Sequence, residues 1–247
     1  MTPPIADVSP NPEPLDRGEF DAATLMRQYP PVLRNPNKLV AFRVACPDGT
    51  AGGHLSYSRW AEMPLSATAD PGRAATLVAV RDDFYDYEPP TEPAPEWHVN
   101  FADPRLFYAY GSSLFAQDEM QVAEHPALGS LREALVAERR STLTVEDGRP
   151  RPVPRNRIER IVHTGFWGCG AFGGNRVMMT LLQALAAEMA GGGDLVMHVG
   201  EVSGRTPVDQ AGVLLRDVLA EPEPDGTAAL IGRIESLGLE WGHSDGN

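Results

Sequence analysis

Apolar and polar residues alternate along this chain in short runs, and the period of each run predicts an element. Lys38 to Ala45 (KLVAFRVA) and Ala75 to Val80 (ATLVAV) are brief apolar runs bounded by turn residues, as buried strands are. His54 to Trp60 reads as another strand between them. Trp97 to Ala102 (WHVNFA) alternates with Trp97, Val99 and Phe101 on one side, again a strand pattern. Phe115 to Glu124 and Ala127 to Arg140 read as helices interrupted at Pro126, with Arg139 and Arg140 in the last turn, where the helix dipole favours cations. Ile158 to Phe166 then leads as a strand into a glycine-rich turn. Val177, Met178, Leu181, Leu182, Leu185 and Met189 recur at helical spacing, which predicts an amphipathic helix over 175–190 that stops at Gly191, Gly192 and Gly193. Leu195 to Val199 resumes as a strand. Strand, glycine turn, helix, glycine stop and strand together predict a right-handed βαβ unit of a mainly parallel or mixed sheet.

Proline placement divides the chain. Prolines at 3, 4, 10, 12, 14, 30, 31 and 36 are too many for a continuous helix or a central strand, so 1–36 is expected to be an extended arm with one helical turn near Ala22 to Gln28. The remainder, 37–247, is long enough for one α/β domain with a substantial core. Residues 88–96 (EPPTEPAPE) and 144–157 (TVEDGRPRPVPRNR) read as surface-crossing loops.

Charge narrows the function. A formal net charge of −13 gives no global positive field for a nucleic-acid backbone or an anionic membrane, so any anionic ligand must be held locally. The first thirty residues lack the basic start and apolar run of a signal peptide, and no run approaches 18 apolar residues. Two cysteines, Cys46 and Cys169, make neither a disulfide framework nor a zinc quartet, and His54, His98, His125, His198 and His243 share no metal-ligand spacing. A reduced, cytoplasmic setting is expected, with neither cofactor nor metal.

The stretch Thr164 to Asn175 (TGFWGCGAFGGN) has five glycines in ten residues between strand and helix. Its backbone N–H groups are expected to face open space at a helix start, where a phosphate or pyrophosphate fits. Gly168, Gly170 and Gly173 also spell the glycine pattern of dinucleotide-binding folds. The acidic residue that pattern requires would be Glu201, 28 residues beyond Gly173, and only about 45 residues follow the unit, too few for a second mononucleotide half. A tight turn that merely lets helix and strand pack closely is a further reading. Cys169 and His163 lie six positions apart across a strand-turn junction, which does not bring them together as a nucleophile and base. A buried, inert cysteine is the expectation.

The turn resembles the TGNWGCGAFGG stretch of poly(ADP-ribose) glycohydrolases, and a second block supports the likeness. Residues 99–128 (VNFADPRLFYAYGSSLFAQDEMQVAEHPAL) are similar, without a gap, to that family's VDFAN, triple glycine, and QEE followed by a helix. The resemblance implies a macrodomain-like three-layer α/β/α fold with a mixed central sheet. It also implies a hydrolase that releases ADP-ribose, acting on mono-ADP-ribose attached to a protein carboxylate or another oxygen- or base-linked acceptor. By the same resemblance Glu119 is the general acid/base and Asp118 anchors the ribose, with Asp103, Gln117, Gly168, Cys169, Gly170, Ala171, Phe172, Gly173 and Gly174 binding ADP-ribose. The implied partners are ADP-ribose and ADP-ribosylated protein, with ADP-ribosylated nucleic acid left open as an acceptor and no membrane.

The chemistry supports a carboxyl pair independently: cleaving a glycosidic bond through an oxocarbenium-like state needs a proton at the departing oxygen and negative charge nearby. Asp118 and Glu119 are equally explained as N-terminal helix acids favoured by the dipole. Three departures from the family stand out. Phe107, Tyr108 and Ala109 occupy the place of the three glycines, the first Glu of QEE is Asp118, one methylene shorter, and about 35 residues separate the two blocks, so the segment that contacts adenine has no counterpart. Tyr108, Tyr110 and Phe172 are candidates to stack on a base or ribose, with core packing the competing reading for Phe172. A catalytically silent ADP-ribose reader is the alternative function.

Overall fold

A computed structural model describes residues 14–60, 68–85, 96–100, 105–142, 161–170, 172–191, 193–220 and 226–243. Asp103, Ala171, the whole 144–157 loop and the 88–96 loop apart from Glu96 lie outside them, as do Phe101, Ala102 and positions 158–160 of the expected strands. The chain divides into two compact units, one formed by the described residues between 65 and 99 and from 154 onward, the other by those between 9 and 64 and between 100 and 153.

The first unit is built on a parallel sheet. Its elements are α3 (Pro71–Thr76), β3 (Val78–Arg81), β4 (Glu96–His98), β5 (Ile161–Thr164), α6 (Arg176–Met189), β6 (Asp194–His198), α7 (Arg205–Val213) and α8 (Thr227–Ser236). The sheet order is β3-β6-β5-β4, and each described pairing in it is parallel. The expected β5–α6–β6 crossover is present, joining neighbouring parallel strands. Asn175 caps α6 by accepting from the Met178 N–H, and Gly191 ends the segment with φ +103°, a conformation that only glycine adopts without strain. The apolar stripe of α6 (Leu181, Ala184, Leu185) packs with Ala74, Ala211, Leu215 and Leu230 to form the main core. A second core joins Leu195, Met197 and Val199 to Val208.

The second unit holds β1 (Asp16–Asp21), α1 (Ala22–Gln28), α2 (Pro36–Ala45), β2 (His54–Arg59), α4 (Gln117–Glu124) and α5 (Ala127–Ala137). β1 and β2 pair antiparallel as a sheet of their own. α1 falls where a helical turn was expected, whereas the strand before it was not foreseen. Leu25 packs on Leu131, Ala134 and Leu135.

Two expectations are corrected. Lys38 to Ala45 is not a strand but most of α2. Asn35 accepts from the N–H groups of Asn37 and Lys38, and Pro36 sits in the first turn, where its missing N–H costs nothing. The helix also turns the run inside out, exposing Val40 and Val44 and burying Lys38. Arg139 and Arg140 do not close the last turn of α5, which ends at Ala137. Arg139 is left-handed at φ +57°, and Arg140 reaches Asp16 in a paired contact at 2.7 and 2.9 Å.

Candidate active site

The carboxyl pair occupies the first turn of α4. No side chain caps this helix; the Glu119 carboxylate accepts from the Ala116 N–H at 2.9 Å. Glu119 is 2% exposed and Asp118 4%, so both acids are withdrawn from water. Burial, then a hydrogen bond to Glu119 and its charge, push the Asp118 carboxyl up to about 7. Two adjacent buried carboxyls cannot both ionise cheaply, so the pair holds a proton near neutral pH. Gln117 precedes them half-buried, and Gln121 on the next turn accepts from the Asn100 amide.

The loop before α4 carries the departure from glycine. Phe107 has φ +52°, so the backbone keeps a glycine-like conformation with a phenyl side chain on it, at a cost of about 1–3 kcal/mol. That side chain turns inward and packs with Tyr110 and Val122. Tyr108 is 48% exposed, with the Arg105 guanidinium 3.5 Å above its ring. Tyr110 is not available to stack on a ligand: it is buried, and its hydroxyl accepts from the Val32 N–H at 2.6 Å and donates to Glu133 at 2.8 Å.

Lys38 is the residue of this unit that sequence reasoning missed. It is 1% exposed, its Nζ donates to the Tyr110 carbonyl at 2.7 Å, and it lies 4.8 Å from the centroid of the Phe115 ring. Burial lowers its proton affinity, while the charges of Glu119 and Asp118 raise it. Only the helical register of α2 points it inward, and the expected strand concealed that.

In the first unit the glycine turn links β5 to α6. Gln183 of α6 sets its start, donating to the Gly165 carbonyl at 3.0 Å. Within the turn Gly168 and Gly173 take positive φ, +71° and +64°. Gly174 must lack a Cβ, since one built there falls 2.8 Å from the Gly168 carbonyl oxygen. The expectation that the turn's N–H groups face open space holds less broadly than supposed. Those of Trp167, Cys169, Gly173 and Gly174 donate to Gly165, Phe166, Gly170 and Gly168 inside the turn. Cys169 is half-buried rather than buried, its thiol donates weakly to the Trp167 carbonyl at 3.5 Å, and burial pushes the thiol up, which makes it a poor nucleophile. Phe172 is 78% exposed, so core packing does not explain it.

Sequence reasoning also missed three contributors here. Arg176, exposed at the first position of α6, stacks 5.0 Å from the Phe166 ring centroid and places a local cation beside the turn of an acidic chain. The 240–242 segment is tied to the turn, Gly242 N–H donating to the Gly173 carbonyl at 2.7 Å and Asn175 to the Glu240 carbonyl at 2.9 Å, with the half-exposed Trp241 beside Gly174. Finally, the ends of the parallel strands gather histidines that are remote in sequence. His163 Nδ1 lies 2.7 Å from His198 Nε2, His198 Nδ1 lies 2.7 Å from Asp83, and His98 stacks on His163 with centroids 4.5 Å apart. His163 therefore faces His198 and, at 3.5 Å, Glu96. Among the described residues no group of three or more His, Cys, Asp or Glu is arranged to hold a metal ion, and no helix is long and apolar enough to cross a membrane.

Residues 130–200 match a family model described as poly(ADP-ribose) glycohydrolase (PARG), macro domain fold. The match runs from α5 through the glycine turn to the end of β6, so it includes Gly168 to Gly174 and stops short of Gln117, Asp118 and Glu119 on the N-terminal side. No curated protein and no solved structure matches the chain.

Proposed function

We propose that this chain is a hydrolase that releases ADP-ribose from mono-ADP-ribosylated macromolecules, with Glu119 as general acid/base and Asp118 as ribose anchor, a reading supported by the match of residues 130–200 to the poly(ADP-ribose) glycohydrolase family model. The observation that carries this reading is the withdrawn carboxyl pair on α4, which keeps a proton near neutral pH where an isolated aspartate would have lost it. In the proposed reaction the proton passes from Glu119 to the departing acceptor oxygen as the ribose C1–O bond breaks. Water then adds its hydroxyl to C1 and returns its proton to Glu119. The proton that the pair holds is shared between the two carboxyls, so Glu119 can draw it from Asp118, and the negative charge left on the pair is what the oxocarbenium-like state attracts. Gly168, Cys169, Gly170, Ala171, Gly173 and Gly174 are proposed to hold the pyrophosphate, Phe172 to offer an aromatic face, and Asp103 and Gln117 to contact the ribose side of the ligand.

The mono-specific part of the proposal rests on a narrower basis than three added side chains, since Phe107 turns into the core. Tyr108 and Ala109 remain, together with the net charge of −13, which repels a polyanion more than a single ADP-ribose. Release of free ADP-ribose from substrates modified on Glu/Asp, Ser, Arg or a nucleobase, run beside poly(ADP-ribose), tests acceptor and size together. We expect single units to be released at least about tenfold faster, ~1.4 kcal/mol of transition-state discrimination. Equal rates on polymer would remove the size filter.

One observation favours a second reading. The Glu119 carboxylate already serves Ala116 as an N-terminal helix acid, a role a silent ADP-ribose reader needs as much as an enzyme. Binding without release from every acceptor would decide for the reader.

A further inference from the structure

The acid pair on α4 raises a physical question that the hydrolase reading does not answer. Two carboxyls at 4% and 2% exposure lose most of their hydration, and burial penalises negative charge on the pair. A pair with two protons has a donor but no negative charge, and it could not perform the chemistry above. Something must hold one of them ionised.

The candidates are the charged and titratable groups on the elements that pack around the pair. α4 contributes Asp118 and Glu119 themselves. The stretch from Arg105 to Ala116 contributes Tyr110, whose phenol is engaged with Val32 and Glu133, and Arg105, which lies over Tyr108. α5 contributes Arg132 and Glu133, which bear on the Tyr110 phenol. α2 packs directly on α4, and it contributes Lys38.

Lys38 differs from the other cations in three respects. It is the most deeply buried of them, at 1% exposure. Its Nζ is fixed by the Tyr110 carbonyl at 2.7 Å and covered by the ring of Phe115, the residue next to the Ala116 N-cap that binds Glu119. The charges that raise its proton affinity against burial are those of Glu119 and then Asp118. The helix that delivers it is also fixed from outside the site, by the Asn35 cap and Pro36.

We propose that Lys38 is a positioning residue, the buried cation that keeps the Asp118/Glu119 pair in its singly protonated state and so maintains one proton donor beside one carboxylate. One ammonium, one carboxylate and one neutral carboxyl sum to zero charge, which is the combination a water-poor interior tolerates best. The proposal rests on the hydrolase reading for its purpose, while the charge coupling it asserts exists whether or not the protein turns over substrate.

The test is therefore made on proton affinities in the full chain, read by carbon NMR of the Asp and Glu carboxyls across pH, with Asp118→Asn and Glu119→Gln spectra assigning the two signals. Lys38→Met removes the charge at similar length, and it should raise the pH at which the pair loses the first of its two protons by at least about one unit, a tenfold gain in proton affinity. Lys38→Arg, which keeps the charge, should restore most of the difference. An unchanged carboxyl titration in a folded Lys38→Met protein would overturn the proposal. If that variant does not fold, the reciprocal measurement decides: by linkage the Lys38 ammonium must lose proton affinity when either acid is neutralised, and a Lys38 titration identical in wild type, Asp118→Asn and Glu119→Gln overturns it equally. Hydrolysis assays on the same proteins separate the two claims. A titration shift in a protein that releases no ADP-ribose would leave the pairing standing and refute the enzyme.

Discussion

Neutralising Asp118 should make the protein more stable at alkaline pH, and the structure gives both the sign and the scale. The Asp118 carboxyl rises from an ordinary 3.8 to about 7 in the folded chain, chiefly because burial strips water from its charged form. Between those values the unfolded chain binds fewer protons than the folded one, so stability falls as pH rises. The stabilising contribution of the protonated group is complete below about pH 4 and gone above about pH 7. Each tenfold change in proton affinity is worth about 1.4 kcal/mol, which sets a ceiling of roughly 4 kcal/mol. Because Asp118 shares its proton with Glu119, about half of that is expected. Asparagine keeps the shape and a hydrogen-bond donor toward Glu119 and cannot ionise. Asp118→Asn should therefore match wild type within about 0.5 kcal/mol at pH 4.5 and exceed it by about 2 kcal/mol at pH 8, while losing ribose anchoring. Urea unfolding of both proteins at half-unit steps from pH 4.5 to 8.5 measures the difference directly. A gap that does not widen with pH would refute the claim that a buried, proton-retaining carboxyl sits at this position.

Two further substitutions probe the glycine turn. Gly174→Ala places a methyl carbon 2.8 Å from the Gly168 carbonyl oxygen, a backbone atom that cannot rotate away, so thermal melts should show a loss of about 1–3 kcal/mol. Gly52→Ala, where nothing lies within 4 Å, should change stability by less than about 0.5 kcal/mol and serves as the control. Arg176→Gln removes the exposed cation at the start of α6 and should weaken ADP-ribose binding about ten- to a hundredfold by calorimetry, ~1.5–3 kcal/mol for a charge-assisted contact, while leaving adenosine affinity unchanged. Equal losses for both ligands would mean that Arg176 does not meet phosphate.

The legible parts of the fold are those whose information is local. The helical spacing of Leu181, Leu185 and Met189, the Asn175 cap and the closing glycine specify α6, and the alternation of His54 to Arg59 specifies β2. Lys38 to Ala45 misleads because an apolar run of eight has no period of its own. The deciding signal is the Asn35–Pro36 start just before it, which commits the segment to a helix and reverses its inside and outside. β1 hides in an acidic, proline-bearing stretch because its polar faces become a strand only against β2. The candidate site divides in the same way. The glycine turn and the Gln117-Asp118-Glu119 block are visible as motifs, whereas Lys38, Arg176 and Trp241 carry no motif. The histidines at 98, 163 and 198 meet only once the register of three parallel strands is set, a long-range fact that no spacing rule encodes.

The central claim is that the α4 carboxyl pair performs hydrolysis, and it is tested most directly by single-turnover release of ADP-ribose from a mono-ADP-ribosylated substrate by wild type and Glu119→Gln, with calorimetric binding of ADP-ribose measured on the same preparations. Release by wild type, a fall of about a hundredfold or more in the variant, and nearly unchanged affinity are the results expected when a general acid is lost from an otherwise intact site. Equal release rates, or none from wild type on any acceptor despite binding, would contradict it.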